Sequence, residues 1–236
     1  MPKPVLALVI GCLGAFAQTE GISNAPLGYL VTQSQELRPV YGVAASFTLG
    51  DPVAGGVLSA SFSGRCLVWK TGNELFSSCE GEQTRRQSSP GGRALIAFGG
   101  DGRPKAVYFP EQELWRGFGE EHTWYKLSLP GTVLSIALPD QATLRILEER
   151  DGVFWLSDFA LAGGEKRKEE ALTLAAPVIM DRRGRVASFA HTLGGSPALD
   201  WLGEEWIVVR TPGEAGRAFA PGHPERVYLL PEGGPQ

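Results

Sequence analysis

An all-β fold assembled from a recurring unit of short strands is what this sequence predicts, and three observations predict it. Turn formers are dense: 31 glycines and 17 prolines are spread over 236 residues without a collagen-like period, more punctuation than a helical protein tolerates. Apolar residues alternate with small or polar ones in short runs, such as Leu58-Ala60-Phe62, Ala94-Ile96-Phe98 and Leu134-Ile136-Leu138, the period-two pattern of a half-buried strand. These runs are evenly spaced. From Leu58 through Ala94, Leu134 and Val178 to Trp206 the steps are 36, 40, 44 and 28 residues.

A recurrence of about 40 residues is the length of one four-stranded blade of a β-propeller, a unit that cannot hide both faces alone and must stack on its neighbours. The expected fold is therefore a small β-propeller of about five blades, each of three to four antiparallel strands. A β-sandwich or a pair of β-barrels is the alternative, since short strands with frequent turns suit those folds too.

Each first strand runs into a turn signal: Ser63-Gly64-Arg65, Gly100-Asp101-Gly102, Pro139-Asp140, Asp181-Arg182-Arg183-Gly184 and Thr211-Pro212-Gly213. Second strands follow at 66–70, 105–109, 143–147, 186–190 and 217–220. Third strands are rich in aromatics: Leu75-Phe76, Leu114-Trp115, Val153-Phe154-Trp155-Leu156, Leu199-Asp200-Trp201 and Val227-Tyr228-Leu229. Fourth strands are expected at 124–129 and 172–174. The charged run Glu165 to Glu170 reads as a solvated loop leading into a strand. Strands before Val57 are expected to complete the last blade, which lacks a fourth strand of its own in this phasing, and so to remove an exposed edge.

The first 17 residues read as an export signal. Lys3 precedes an apolar run from Val5 to Phe16, and Ala15-Phe16-Ala17 supplies the small-x-small cleavage pattern. The expected organisation is a signal peptide over 1–17, a leader over 18–28 and the repeat domain over 29–236, with the mature chain starting at Gln18. Lipid anchoring at Cys12 is the alternative. No other apolar stretch reaches the length of a membrane span. The protein is expected to be secreted or periplasmic, and monomeric.

Cysteine placement agrees with an oxidising compartment. With Gly72-Asn73 as a two-residue hairpin turn, Thr71 faces Glu74, and counting outward places Cys66 opposite Cys79. Two cysteines facing each other across a hairpin lie within disulfide reach. A bulge would shift the register by one and leave two separate thiols.

The segments Leu67-Val68-Trp69-Lys70-Thr71-Gly72-Asn73-Glu74-Leu75 and Asp151-Gly152-Val153-Phe154-Trp155 resemble blade segments of exported bacterial β-propeller repeat proteins of the quinoprotein type. The resemblance extends over about residues 57–230 and implies the propeller fold. The remaining repeats lack the Thr-Gly step and the regular tryptophan docking of quinoproteins, so the resemblance carries the fold and no cofactor.

No metal-ligand or nucleophile pattern stands out in the sequence, while paired carboxylates for glycoside cleavage stay open, since 26 acidic residues offer many pairs. Its three histidines, His122, His191 and His223, show no metal-ligand spacing, and Glu120-Glu121-His122 reads as a solvated turn. No serine sits in a Gly-x-Ser-x-Gly elbow. The net charge of -4 with interspersed signs gives no basic stripe for nucleic acid. No catalytic residue, metal or cofactor is assigned.

The expected function is a non-enzymatic extracytoplasmic binding or interaction module for a protein or a glycan. A polysaccharide hydrolase or lyase on the same scaffold is one alternative, and a quinoprotein-like cofactor-binding domain is another. Propellers usually meet ligands at the channel face built from loops leading into first strands and joining second to third strands. That places Arg93, Glu111, Glu149, Arg150, Glu204, Glu205 and His223 as the candidate binding residues.

Overall fold

The computed structural model describes residues 25–43, 46–119, 123–189, 198–203, 205–210, 216–224 and 226–230. The apolar N-terminal segment with its Ala17–Gln18 junction, and the Glu120-Glu121-His122 cluster, lie outside these residues. Apart from one short 3-10 turn at Pro110–Gln112, the regular structure among the described residues is all β.

Six antiparallel sheets follow one another along the chain, each made from one continuous segment. The first holds β1 (Gly28–Val31), β2 (Leu37–Val43) and β3 (Ser46–Leu49). The second holds β4 (Val57–Phe62), β5 (Cys66–Thr71), β6 (Glu74–Cys79) and β7 (Arg85–Ser88). The third holds β8 (Leu95–Phe98), β9 (Pro104–Phe109), β10 (Leu114–Gly117) and β11 (Tyr125–Lys126). The fourth holds β12 (Thr132–Ala137), β13 (Thr143–Arg150), β14 (Val153–Ala160) and β15 (Lys166–Leu172). The fifth pairs only β16 (Val178–Met180) with β17 (Val186–Ser188). The sixth holds β18 (Ala198–Leu202), β19 (Trp206–Arg210), β20 (Arg217–Phe219) and β21 (Tyr228–Leu229).

The first strands of these sheets touch in the order β1, β4, β8, β12, β16, β18, and β18 returns to β1. A closed ring of sheets around an axis is a β-propeller. Five of its sheets have three or four strands, as the repeat spacing predicts, and the two-stranded β16–β17 sheet takes a sixth station between two of them.

Alternation within each strand explains the packing. In β5, Cys66 and Val68 face the third sheet, where they meet Phe98, Val107 and Phe109, while Leu67 packs toward Leu37 of the first sheet. In β19, Ile207 and Val209 join Ile179 and Phe189, while Val208 joins Val40 and Phe47. A separate apolar cluster thus fills each wedge between neighbouring sheets, six in all among the described residues. No sheet buries its faces without its two neighbours.

The disulfide forms between the expected partners. Cys66 pairs with Cys79 in the β5–β6 register and Thr71 with Glu74, with Cα atoms 4.0 Å apart. The Glu80 N–H donates to the Arg65 carbonyl at 2.8 Å, so the neighbouring 65/80 position is the hydrogen-bonded one. Cys66 and Cys79 therefore occupy the close, non-hydrogen-bonded kind of pair.

Three readings of the strands are corrected. Leu199-Asp200-Trp201 belongs to the innermost strand of the last sheet, and Trp206 to its second strand, so the phase slips by one strand after Ser188. The short 28-residue step reflects this slip. With the phase restored, the last sheet has its own fourth strand, since β21 pairs with β20. The N-terminal strands are not needed there and form a sheet of their own. Ring closure rests instead on packing between the first and last sheets, with the Gly28 and Gly203 backbones in contact. Finally, the charged run from Lys166 to Glu170 is itself an outer strand. An outermost strand has one free edge and little buried surface, so charge suits it and discourages edge-to-edge pairing.

Candidate axial binding site

Antiparallel order fixes two faces of the propeller. The lower face carries the turns from first to second and from third to fourth strands. The upper face carries the turns from second to third strands and the segments leading into each first strand.

Along the axis, five innermost strands enclose a cavity of about 360 Å³, lined by residues of β4, β8, β12, β16 and β18. Most of the wall is apolar, with Phe62, Ile96, Leu134, Ile136 and Met180 among its members. Charged residues interrupt it at three levels. Arg93 and Glu149 stand toward the upper face, Asp200 sits at mid-strand, and Asp181 with Arg182 lies at the lower end. Beyond that end a wider mouth of about 1170 Å³ opens between the lower turns, including Gly99 to Gly102, Leu138 to Gln141 and Asp181 to Arg183.

Arg182 lines both spaces. The β16–β17 turn presents it because the Asp181 carboxylate accepts the Arg183 and Arg185 N–H groups at 2.9 Å and pairs with the Arg185 guanidinium at 2.7 Å. Gly184, at φ +74°, completes the tight reversal. From this turn the Arg182 side chain crosses the axis. It donates to the carbonyls of Phe62 at 2.5 Å and Ser63 at 3.2 Å, and its guanidinium lies 5.4 Å from the centre of the Phe98 ring.

Asp200 accepts the Trp201 N–H at 2.8 Å and has Arg210 at 4.0 Å. Water reaches its side chain inside the channel, yet protein surrounds it. This desolvation pushes its carboxyl above the ordinary carboxylate range, against the opposing pull of Arg210 and the Trp201 N–H.

The sequence-predicted residues divide between the faces. Arg93 and Glu149 line the cavity together. Glu111 lies beside them, its carboxylate accepting the Arg93 N–H at 3.3 Å. Arg150 is at the same end but committed elsewhere: it pairs with buried Glu148 and with Glu169, and lies 4.7 Å from the Trp155 ring centre. Lys166 and Arg150 hold the Glu169 carboxyl down to about 2. Glu205 is exposed in the β18–β19 turn, and His223 is exposed in the β20–β21 turn. Both belong to the lower face, away from Arg93 and Glu149, because the strand phase there differs from the expected one. Glu204 lies outside the described residues. Sequence reasoning missed Asp200, Asp181 and Arg182. A signal existed for Asp200, a lone carboxylate inside an apolar strand pattern.

No protein-family model matches the sequence, and no curated protein sequence matches it. Among solved structures, Hsv2p of Kluyveromyces lactis aligns at 12% identity with a TM-score of 0.40, over 70% of this chain and 60% of that one. Hsv2 of Kluyveromyces marxianus aligns at 11% identity and TM-score 0.40, over 85% and 81%. The tricorn protease aligns at 9% identity and TM-score 0.29, over 86% of this chain and 25% of that one. The chain thus spans about 60% of the K. lactis protein's length.

Proposed function

We propose that this chain is an exported, non-enzymatic binding module that takes its ligand in the axial cavity. The cavity carries the reading: an apolar-walled space of about 360 Å³ at the centre of the ring, with Arg93, Glu149 and Asp200 on its wall. Concave, mostly apolar spaces with a few placed polar groups are where proteins hold small ligands. Export is supported by the Lys3 to Ala17 signal pattern and by the Cys66–Cys79 bridge. Among the described residues no helix is long and apolar enough to cross a membrane.

Screening the purified protein against glycans, amino acids and extracytoplasmic extract tests this reading. A ligand should be recovered chemically unchanged, and Ile136→Trp, which fills the cavity, should abolish its binding while the fold persists by circular dichroism. Binding that survives Ile136→Trp overturns it. N-terminal sequencing should find Gln18; an intact Met1 or lipid on Cys12 overturns the export assignment.

A second reading, a polysaccharide hydrolase, is favoured by one observation. Glu149 and Asp200 line the same cavity, and the raised Asp200 carboxyl is suited to hold a proton. Release of shorter glycans, lost in Asp200→Asn, would establish it in place of the binding reading.

A further inference from the structure

We propose that the axial cavity selects a small zwitterion whose ammonium and carboxylate groups are separated by an apolar spacer. This rests on the binding reading above and names its ligand class.

The argument starts from charges of both signs on the wall that lack close counter-ions. The Arg93 guanidinium donates to the Val133 carbonyl at 3.2 Å, and no carboxylate lies within ion-pair distance of it among the described residues. Glu149 makes no hydrogen bond or ion pair through its side chain among the described residues. The cation nearest Asp200, Arg210, is at 4.0 Å and donates to the Val31 carbonyl at 2.9 Å. The remaining charges are committed. Arg182 is bonded to the carbonyls of Phe62 and Ser63, and Asp181 to Arg185 and its own turn. The Arg93, Glu149 and Asp200 side chains are all exposed to the channel water, so a purely cationic ligand would gain nothing from Arg93 and a purely anionic one nothing from Asp200. One molecule carrying both charges matches Arg93 at the upper end and Asp200 at mid-strand, and Glu149, exposed at the upper end, stays in water.

Spacing gives the spacer. Counted back from the lower turns, Asp200 stands two residues before Leu202, level with Ile96, which stands two before Phe98. Arg93 lies three residues further up its chain, in the segment leading into β8 and across the ring from β18, an axial offset of about 10 Å for extended chain. Between the two levels the wall is Leu95, Ile96, Leu134 and Ile136, a surface that matches methylene groups. The Asp200 carboxylate is open to the channel and has its one cation within ion-pair distance among the described residues, Arg210, at the 4.0 Å limit, so it can accept an ammonium from a ligand. Arg93 offers a planar fork suited to a carboxylate.

Isothermal titration calorimetry on the full chain provides the test, with 6-aminohexanoate as probe and n-hexylammonium, hexanoate and glycine as controls. 6-Aminohexanoate should bind at least tenfold more tightly than any control. Arg93→Gln should reduce it to the level of n-hexylammonium, and Asp200→Asn to the level of hexanoate. Arg183→Gln, on the exposed lower rim, should change neither. Absent 6-aminohexanoate binding, equal affinity for the single-charge probes, or an affinity unmoved by Arg93→Gln and Asp200→Asn would each overturn the proposal. A neutral oligosaccharide whose binding is lost in Ile136→Trp would overturn the zwitterion while leaving the binding module standing.

Discussion

The Arg182 guanidinium and the Phe62 carbonyl oxygen meet at 2.5 Å although their strands stand on opposite sides of the ring. Going round the innermost strands, β8 and β12 separate them on one side, β18 and β1 on the other. The contact therefore bridges the axis and divides the cavity from the lower mouth. Arg182→Ala should merge the two spaces and lower stability by about 1.5–3 kcal/mol, the worth of a charge-assisted hydrogen bond. Urea denaturation measures the loss. Arg182→Lys should recover only part of it, since an ammonium cannot reproduce a planar fork shared between two carbonyls.

The Cys66–Cys79 bridge spans a sequence separation of 13. A loop of that size suggests about 3 kcal/mol from restricting the unfolded chain, less whatever the hairpin already restricts. Cys66→Ser with Cys79→Ser should lower the melting temperature, and reductant should lower the wild type to the same value. Mass spectrometry of thiol-blocked, non-reduced protein should find neither cysteine alkylated in the folded form. Two alkylated cysteines would exclude the bridge in solution.

Asp200 gives a pH signature. Its carboxyl is raised in the folded state, so folding favours the protonated form. The native state is relatively stable below the unfolded value of about 3.9 and loses that advantage as pH rises through the higher folded value. Asp200→Asn should accordingly raise the melting temperature at pH 7, and the gain should vanish near pH 3. A variant that gains stability while losing ligand is the pattern of a residue kept for binding. Asp200→Asn destabilised at pH 7 would contradict the stated cause.

Ring closure predicts a difference between two glycines. Gly203 has φ +67°, and a Cβ there would overlap the Leu27 carbonyl oxygen, a backbone atom across the seam between the first and last sheets. Gly152 has φ +78° but open space around it. Gly152→Ala should cost about 1–2 kcal/mol, the left-handed backbone alone. Gly203→Ala should cost clearly more, because the seam must also open. Equal losses in thermal unfolding would mean that the seam carries no tension.

The fold was legible because its signals are local. Alternation in Ala94-Ile96-Phe98 and the Gly72-Asn73 turn each follow from a few adjacent residues, and the Cys66–Cys79 pairing follows from counting along one hairpin. The site was half legible. That Arg93 and Glu149 stand at the cavity's upper end was legible because charged residues beside strand ends mark loops. Asp200 was not, since a single phase slip assigned its strand to the wrong position in the sheet. Arg182 could not be found by such means: its partners Phe62 and Ser63 lie about 120 residues away, and nothing local to the Asp181-Arg182-Arg183-Gly184 turn says which of its cations points inward. Position around a ring is a long-range property, and one irregular station, here the two-stranded β16–β17 sheet, is enough to shift every later assignment.

Because each sheet draws all its strands from one unbroken stretch of chain, no blade waits for a distant segment before its hydrogen bonds can form. Hairpins and whole blades can assemble in sequence as synthesis proceeds, each docking on the one before, and contacts of this short range favour rapid folding. Apart from the Arg182 contact to Phe62 and Ser63 across the axis, the packing that joins residues farthest apart in the chain comes last, when Val208 and Leu230 settle against Val40 and Phe47. The molecule behaves as a bracelet with a clasp of side chains in place of an interwoven strand. Under tension applied at its two ends, that clasp is where it should part first, leaving the individual blades intact.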